Sequence, residues 1–173
     1  ATSAAYYPNL VVTTGTLVFG DSATQVGNIT FRAATPATGQ HVTAAQKATG
    51  AGAIVLDDTT NSVVALTTGA GNVSLAAGTG GITAQNTTNA TAEIASSGTV
   101  TLNTTGGIGS STKRIQFDAT STPSSVVVGS TRVPASGGVF FDGLGALTLE
   151  AVTTNNVALD VMAAGALVAD DLT

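Results

Sequence analysis

The chain has no cysteine and no tryptophan. Without cysteine there is no disulfide framework and no thiolate for catalysis or metal binding. Charge is scarce: Asp, Glu, Lys and Arg make up 9% of the residues, against roughly 25% in an ordinary globular domain. Five residues are basic, Arg32, Lys47, Lys113, Arg114 and Arg132. They give no footprint for nucleic acid and no polybasic patch for an anionic membrane. No apolar run reaches the roughly 18 residues that mark a membrane-spanning helix. Nucleic-acid binding and membrane insertion are therefore not expected.

What is present is small and aliphatic. Hydrophobic residues are 43% of the 173, mostly Ala, Val, Leu and Ile, and there are 21 glycines. Disorder pairs low hydrophobicity with high charge, and this chain has neither. It should fold as one domain with a sizeable core, under a surface of Thr, Ser and Asn. A cysteine-free, weakly acidic chain of this kind fits an extracellular or bacterial cell-surface protein. The first residue is Ala1 rather than Met, the start expected of a processed product or of a piece of something longer.

Poor helix formers dominate. Only His41–Ala48, HVTAAQKA, reads as a helical turn or two. Elsewhere apolar residues fall at i and i+2, the code of half-buried strands. Strand centres are expected at 10–12, 17–19, 29–31, 54–56, 64–66, 73–75, 82–84, 92–94, 100–102, 115–117, 126–128, 139–141, 147–149, 157–159 and 167–169. From Val55 onward they step by about nine residues, a spacing typical of regular all-β folds.

A longer period lies above this one. NVSLAAGTGGI at 72–82 returns as TVTLNTTGGIG at 99–109, with Leu102 standing where Leu75 stood. Three steps of the shorter period make one such return. This is the arithmetic of a solenoid whose coils each carry three short strands. Val, Ile, Leu and Ala suit its narrow interior, and Gly and Asn suit its corners. The expected fold is all-β, a right-handed parallel β-helix with residues 51–173 as coils. Residues 1–50, whose rhythm is broken at 36–53, are expected as an irregular segment or arm. A β-sandwich or jelly roll is the alternative, because its hairpins also recur every 8–12 residues.

GNVSLAAGTGGITA, GTVTLNTTGGIGSSTKRIQFDATS and GGVFFDGLGALTLEAVTTNNVALDVMAAGALV resemble the repeat regions of filamentous-haemagglutinin-type bacterial adhesins. The resemblance covers about residues 52–169. No secretion-domain motif of that family is present, and the N-terminal third does not follow its phrase. The resemblance implies a right-handed parallel β-helix used as an extended stalk on the cell surface.

Chemistry is sparsely provided for. His41 is the single histidine. A catalytic triad would need it beside a carboxylate and a nucleophile, with Asp57 and Asp58 available only in principle, so it reads as a loop residue. The acids are spread along the chain, one to a strand end, which suits solubility and edge protection better than the paired carboxylates of a sugar-cleaving site. Calcium needs several oxygen ligands, and its candidates are Asp57, Asp58 and Asp142, with Asp170-Asp171 beside them. None follows an EF-hand or a GGxGxD repeat. No other cofactor is implied. Five Asn-X-Ser/Thr triplets, at Asn28, Asn72, Asn86, Asn89 and Asn103, are no more than an Asn- and Thr-rich chain produces. Thr99-Val100-Thr101 is the one Thr-X-Thr of an ice-binding pattern in a regular strand.

The expected function is structural and not enzymatic: a stalk or shell segment in adhesion or surface architecture. Its partners would be flanking coils of a longer chain, copies of itself, or surface glycans. A self-assembling filament, sheath or capsid subunit with an N-terminal pairing arm is the first alternative. A carbohydrate-binding or lyase solenoid is the second.

Overall fold

The computed structural model describes residues 16–58 and 62–173. The strand expected at 10–12 lies outside them. Among the described residues there are 15 β-strands and no helix. The first described coil holds β1 (Thr16–Gly20) and β2 (Ile29–Arg32). The second holds β3 (His41–Ala45), β4 (Ile54–Asp57) and β5 (Leu66–Gly69), and the third β6 (Val73–Ala76), β7 (Ile82–Ala84) and β8 (Ile94–Ser96). The fourth holds β9 (Thr99–Asn103) and β10 (Ile115–Phe117), the fifth β11 (Ser125–Val128) and β12 (Val139–Gly143), and the sixth β13 (Leu147–Val152) and β14 (Leu159–Ala163). Last comes β15 (Leu167–Leu172).

Every strand pairs in parallel with strands of the neighbouring coils. The result is a parallel β-helix. Sandwich and jelly-roll cores are antiparallel, so that alternative is excluded. One face is a seven-stranded sheet, in the order β1-β3-β6-β9-β11-β13-β15. The others are the three-stranded sheet β2-β4-β7 and the five-stranded sheet β14-β12-β10-β8-β5.

The repeated phrase is a stacking rule. Val73 and Leu75 pair with Val100 and Leu102, the return that the sequence predicts. The same column runs from Leu17 through Val42, Val73 and Val100 to Val126. On the second face Ile29, Ile54, Ile82, Ile108 and Val139 form its counterpart. All ten side chains are buried, and each fully buried aliphatic contributes roughly 1.5–3 kcal/mol. Four phenylalanines join the core, Phe19, Phe31, Phe117 and Phe141. Phe19 pairs in register with Ala44 and meets Phe31 edge-on, ring centres 5.2 Å apart.

The Gly-Gly pairs are the corners. A Cβ on Gly81 would lie 2.4 Å from the Gly107 carbonyl oxygen, and one on Gly107 would lie 3.1 Å from the Gly137 backbone. Successive coils touch there backbone to backbone, so a side chain cannot be admitted. Hydroxyls close other corners. Ser96 donates to the Gly71 carbonyl and accepts from the Gly98 N–H, and Thr104 does the same with Gly78 and Gly106. Asparagines join coils too: the side-chain oxygens of Asn28, Asn72 and Asn103 accept the N–H groups of Ala53, Thr99 and Thr131. The Gly-, Thr-, Ser- and Asn-rich composition is corner chemistry.

Two expectations are corrected. HVTAAQKA is not helical: β3 lies within it, with Val42 and Ala44 inward. Ala and Gln favour helix as isolated residues, but pairing on both sides with β1 and β6 outweighs a propensity of tenths of a kcal/mol per residue. Nor does a boundary fall at residue 51 for the described residues. β1 and β3 belong to the seven-stranded sheet, and β2 pairs with β4, so residues 16–50 are coils like those after them.

The coils narrow toward the C-terminal end. In the wide part of the helix the inward position passes from Val42 to Val73. In the last coil it passes from Leu147 to Leu167, a much shorter return. The change happens at β12. It receives Ile108 from the second face, at Val139, and Ile115 from the third, at Phe141. Two faces thereby merge into one.

Candidate functional site

The two neighbouring aspartates Asp57 and Asp58 differ in role: Asp57 is the last residue of β4, and Asp58 lies just beyond the strand. Asp57 pairs in register with Arg32, whose Nη2 and Nε lie 2.5 and 2.7 Å from its Oδ2. Asp58 is fully buried and turns to the loop after β7. The side-chain amides of Asn86 and Asn89 donate to its two oxygens, the latter at 3.1 Å.

That loop leads to a polar column on the outer side of the five-stranded sheet. Gln116 is in register with Asp142, and Phe117 with Ile94, which sets Glu93 next to Gln116 and Gln116 next to Asp142. The Gln116 N–H donates to Glu93 Oε2 at 2.7 Å. The Gln116 side-chain amide donates to Asp142 at 3.1 Å and to the Asn89 carbonyl at 2.6 Å, and its oxygen accepts the Asn89 N–H at 2.9 Å. One glutamine therefore sits between two acids that would otherwise lie on adjacent rungs, where like charges repel. Glu93 has no solvent exposure, and its Oε1 has no hydrogen-bond partner among the described residues. Its carboxyl is pushed up to about 8, first by burial and then by the charges of Asp58 and Asp142, against the lowering effect of the hydrogen bond from Gln116.

Asp58 and Asp142 thus act on the same group, Glu93, while Asp57 belongs to Arg32. The calcium expectation groups Asp57, Asp58 and Asp142. The structure does not assemble that set, and no three acids or histidines among the described residues are placed to hold a metal ion. Asp170 and Asp171 are exposed on β15. Sequence reading misses Glu93 as a member of the cluster. Its signal is an acid between Ala92 and Ile94 in an otherwise apolar strand centre.

His41 opens β3 on the seven-stranded sheet, whereas Asp57 ends β4 on another. His41 Nδ1 accepts the N–H of Asn72 at 2.9 Å. Histidine here joins two coils. Arg114 joins three. Buried beneath Phe140, with its guanidinium 5.8 Å from the ring centre, it donates to the carbonyls of Phe141 and Asp160, both at 3.1 Å. Its Nη2 also meets the Asp160 carboxylate at 2.6 Å.

The outward column of the seven-stranded sheet reads Val18, Thr43, Ser74, Thr101 and Val127. It is uncharged, and it is not a threonine ladder. Paired acids act on sugars from an open cleft, and the buried Glu93 offers no such access. A small pocket among the N-terminal coils is lined by apolar side chains, including Leu17, Phe19, Phe31 and Leu66. No protein-family model, curated protein or solved structure matches this chain.

Proposed function

We propose that this chain is a structural segment of a bacterial surface protein, a length of β-helical stalk of the filamentous-haemagglutinin-like kind, built to hold a shape and present a surface. The observation that carries this reading is the pair of unbroken aliphatic columns, Leu17 to Val126 and Ile29 to Val139. Parallel ladders along one axis load every coil against the next, and their hydrogen bonds share any force applied along the sheet. The outward column of the seven-stranded face from β1 to β11, Val18, Thr43, Ser74, Thr101 and Val127, carries no charge.

A second reading, self-assembly, rests on β15. All six of its residues are exposed, Leu167, Val168 and Leu172 among them. A further coil, from continuing chain or from a second copy, would cover them and pair the strand edge.

Negative-stain microscopy with light scattering over a concentration series tests both. Thin rods of constant, monomer-scale length support the stalk segment. Filaments or closed shells that grow with concentration overturn it in favour of an assembly subunit.

A further inference from the structure

The group around Glu93 contains more carboxylates than positive charges to balance them. Glu93 is fully buried, one of its oxygens has no hydrogen-bond partner among the described residues, and two aspartates act on it from different coils. Asp58 comes from the end of β4 and Asp142 from β12. Three basic residues near these strands are engaged elsewhere, and Arg132 donates to the Ala76 and Ala77 carbonyls. Arg32 holds Asp57, Arg114 holds Asp160, and the Lys113 ammonium donates to the Gln85 carbonyl at 2.7 Å. An ionised carboxylate in such a place would be desolvated and repelled at once.

We propose that Glu93 is a buried proton-binding site, neutral in the folded protein at neutral pH, and that its proton keeps the loop 85–92 closed over the five-stranded sheet. The proton resides on Oε1, the oxygen without a partner among the described residues, while Oε2 accepts the Gln116 N–H. Gln116 carries the state of Glu93 to the loop, because its side chain holds both the N–H and the carbonyl of Asn89. Asn89 in turn holds Asp58. Loss of the proton places a third charge beside Asp58 and Asp142, and water must enter to solvate it. The corner that ties β4, the loop after β7, β8, β10 and β12 then loosens. Burial supports the same sign: Glu93, raised to about 8, adds stability that is complete below the ordinary value of 4.5 and is lost as the pH rises through about 8. The device works in the alkaline direction, opposite to ordinary acid unfolding.

The chain has two glutamates, Glu93 and Glu150, so glutamate labelled with carbon-13 at the side-chain carboxyl gives two signals, and Glu93→Gln assigns them. The first measurement is a titration of those signals in the folded protein. A Glu93 signal that titrates near pH 8, with amide exchange at Asn89 and Gln116 accelerating over the same range more steeply than in Glu93→Gln, is the expected result. A Glu93 signal that titrates in the ordinary carboxylate range overturns the proposal. The second measurement is the urea midpoint from about pH 5 to about pH 9. The wild type should lose stability steadily over this range, and Glu93→Gln, which keeps the neutral shape, should flatten the profile. Asp58→Asn or Asp142→Asn should move the Glu93 titration toward acid even if the variant is less stable. An unchanged alkaline slope in Glu93→Gln overturns the proposal. So does a wild type whose alkaline loss is abolished by millimolar calcium chloride, because the group would then be a cation site.

Discussion

Leu102 packs one coil beyond Leu75, at the same inward position of adjacent parallel strands, and both are fully buried. Replacing either removes contacts along the axis in both directions. Leu102→Ala is expected to cost about 2–5 kcal/mol, the range for a large-to-small change in a core that collapses only in part. Thr101→Ala, one residue away and outward, should stay within about 0.5 kcal/mol of wild type. Urea unfolding of the two variants measures the contrast. Equal losses would mean that the column carries no special load.

Gly81 and Gly39 have nearly the same backbone conformation, φ +78° and +82°. They differ in surroundings. A Cβ at Gly81 meets the Gly107 carbonyl at 2.4 Å, whereas one at Gly39 meets nothing within 4 Å. Gly39→Ala should therefore cost only the left-handed penalty of about 1–2 kcal/mol. Gly81→Ala carries the same penalty plus a backbone clash, and should lower the melting temperature well beyond its partner. A pair of variants with matching melting temperatures would contradict the backbone-to-backbone corner.

Arg114 and Asp160 form an unequal pair. The arginine side chain is 9% exposed and the aspartate side chain 47%. Solvent screens the carboxylate, so Asp160→Asn should cost less than about 1 kcal/mol. Arg114→Met keeps the stem but strips donors from the Phe141 and Asp160 carbonyls. Hydrogen bonds from a charged donor make it the costlier change, about 1.5–3 kcal/mol. Chemical denaturation ranks them, and a larger loss for Asp160→Asn would reverse the assignment.

Asp118 closes the turn after β10. Burial pushes its carboxyl up, but its Oδ1 accepts from the Ser121 N–H at 2.7 Å and from the N–H and hydroxyl of Thr120 at 2.9 and 2.8 Å. Together these hold it below its ordinary 3.8. A depressed folded value means stability that is present above 3.8 and lost as the pH falls through the folded value. Asp118→Asn should remove part of the acid-side loss and leave the alkaline side unchanged. An effect on the alkaline limb would show that Asp118 and Glu93 are coupled.

Much of the architecture is legible because a solenoid repeats its reasons. Ile29, Ile54, Ile82, Val100 and Val126 announce inward positions by alternation alone, and Gly-Gly marks the corners that must be bare. Three strands begin a residue or two away from their expected centres: β5 at Leu66, β8 at Ile94 and β14 at Leu159. Strand ends depend on where the neighbouring coil supplies a partner.

Local pattern is enough to establish that the protein is all-β, that its core is a stack of small aliphatics, and that the coil turns once between Leu75 and Leu102. These are near-periodic properties, carried by side-chain alternation and glycine. The stacking of coils settles the rest. HVTAAQKA contains a strand because β1 and β6 flank it. Asp57 and Asp58 part because Asp57 is held in β4 opposite Arg32, whereas Asp58, past the strand end, meets the side-chain amides of Asn86 and Asn89. Asp58, Glu93 and Asp142 come together through Asn89 and Gln116 because the coils differ in length, the return from Val42 to Val73 being longer than that from Val100 to Val126. No fixed period could therefore place those three acids together. Their meeting depends on the summed lengths of the intervening corners, which are set only when the chain stacks on itself.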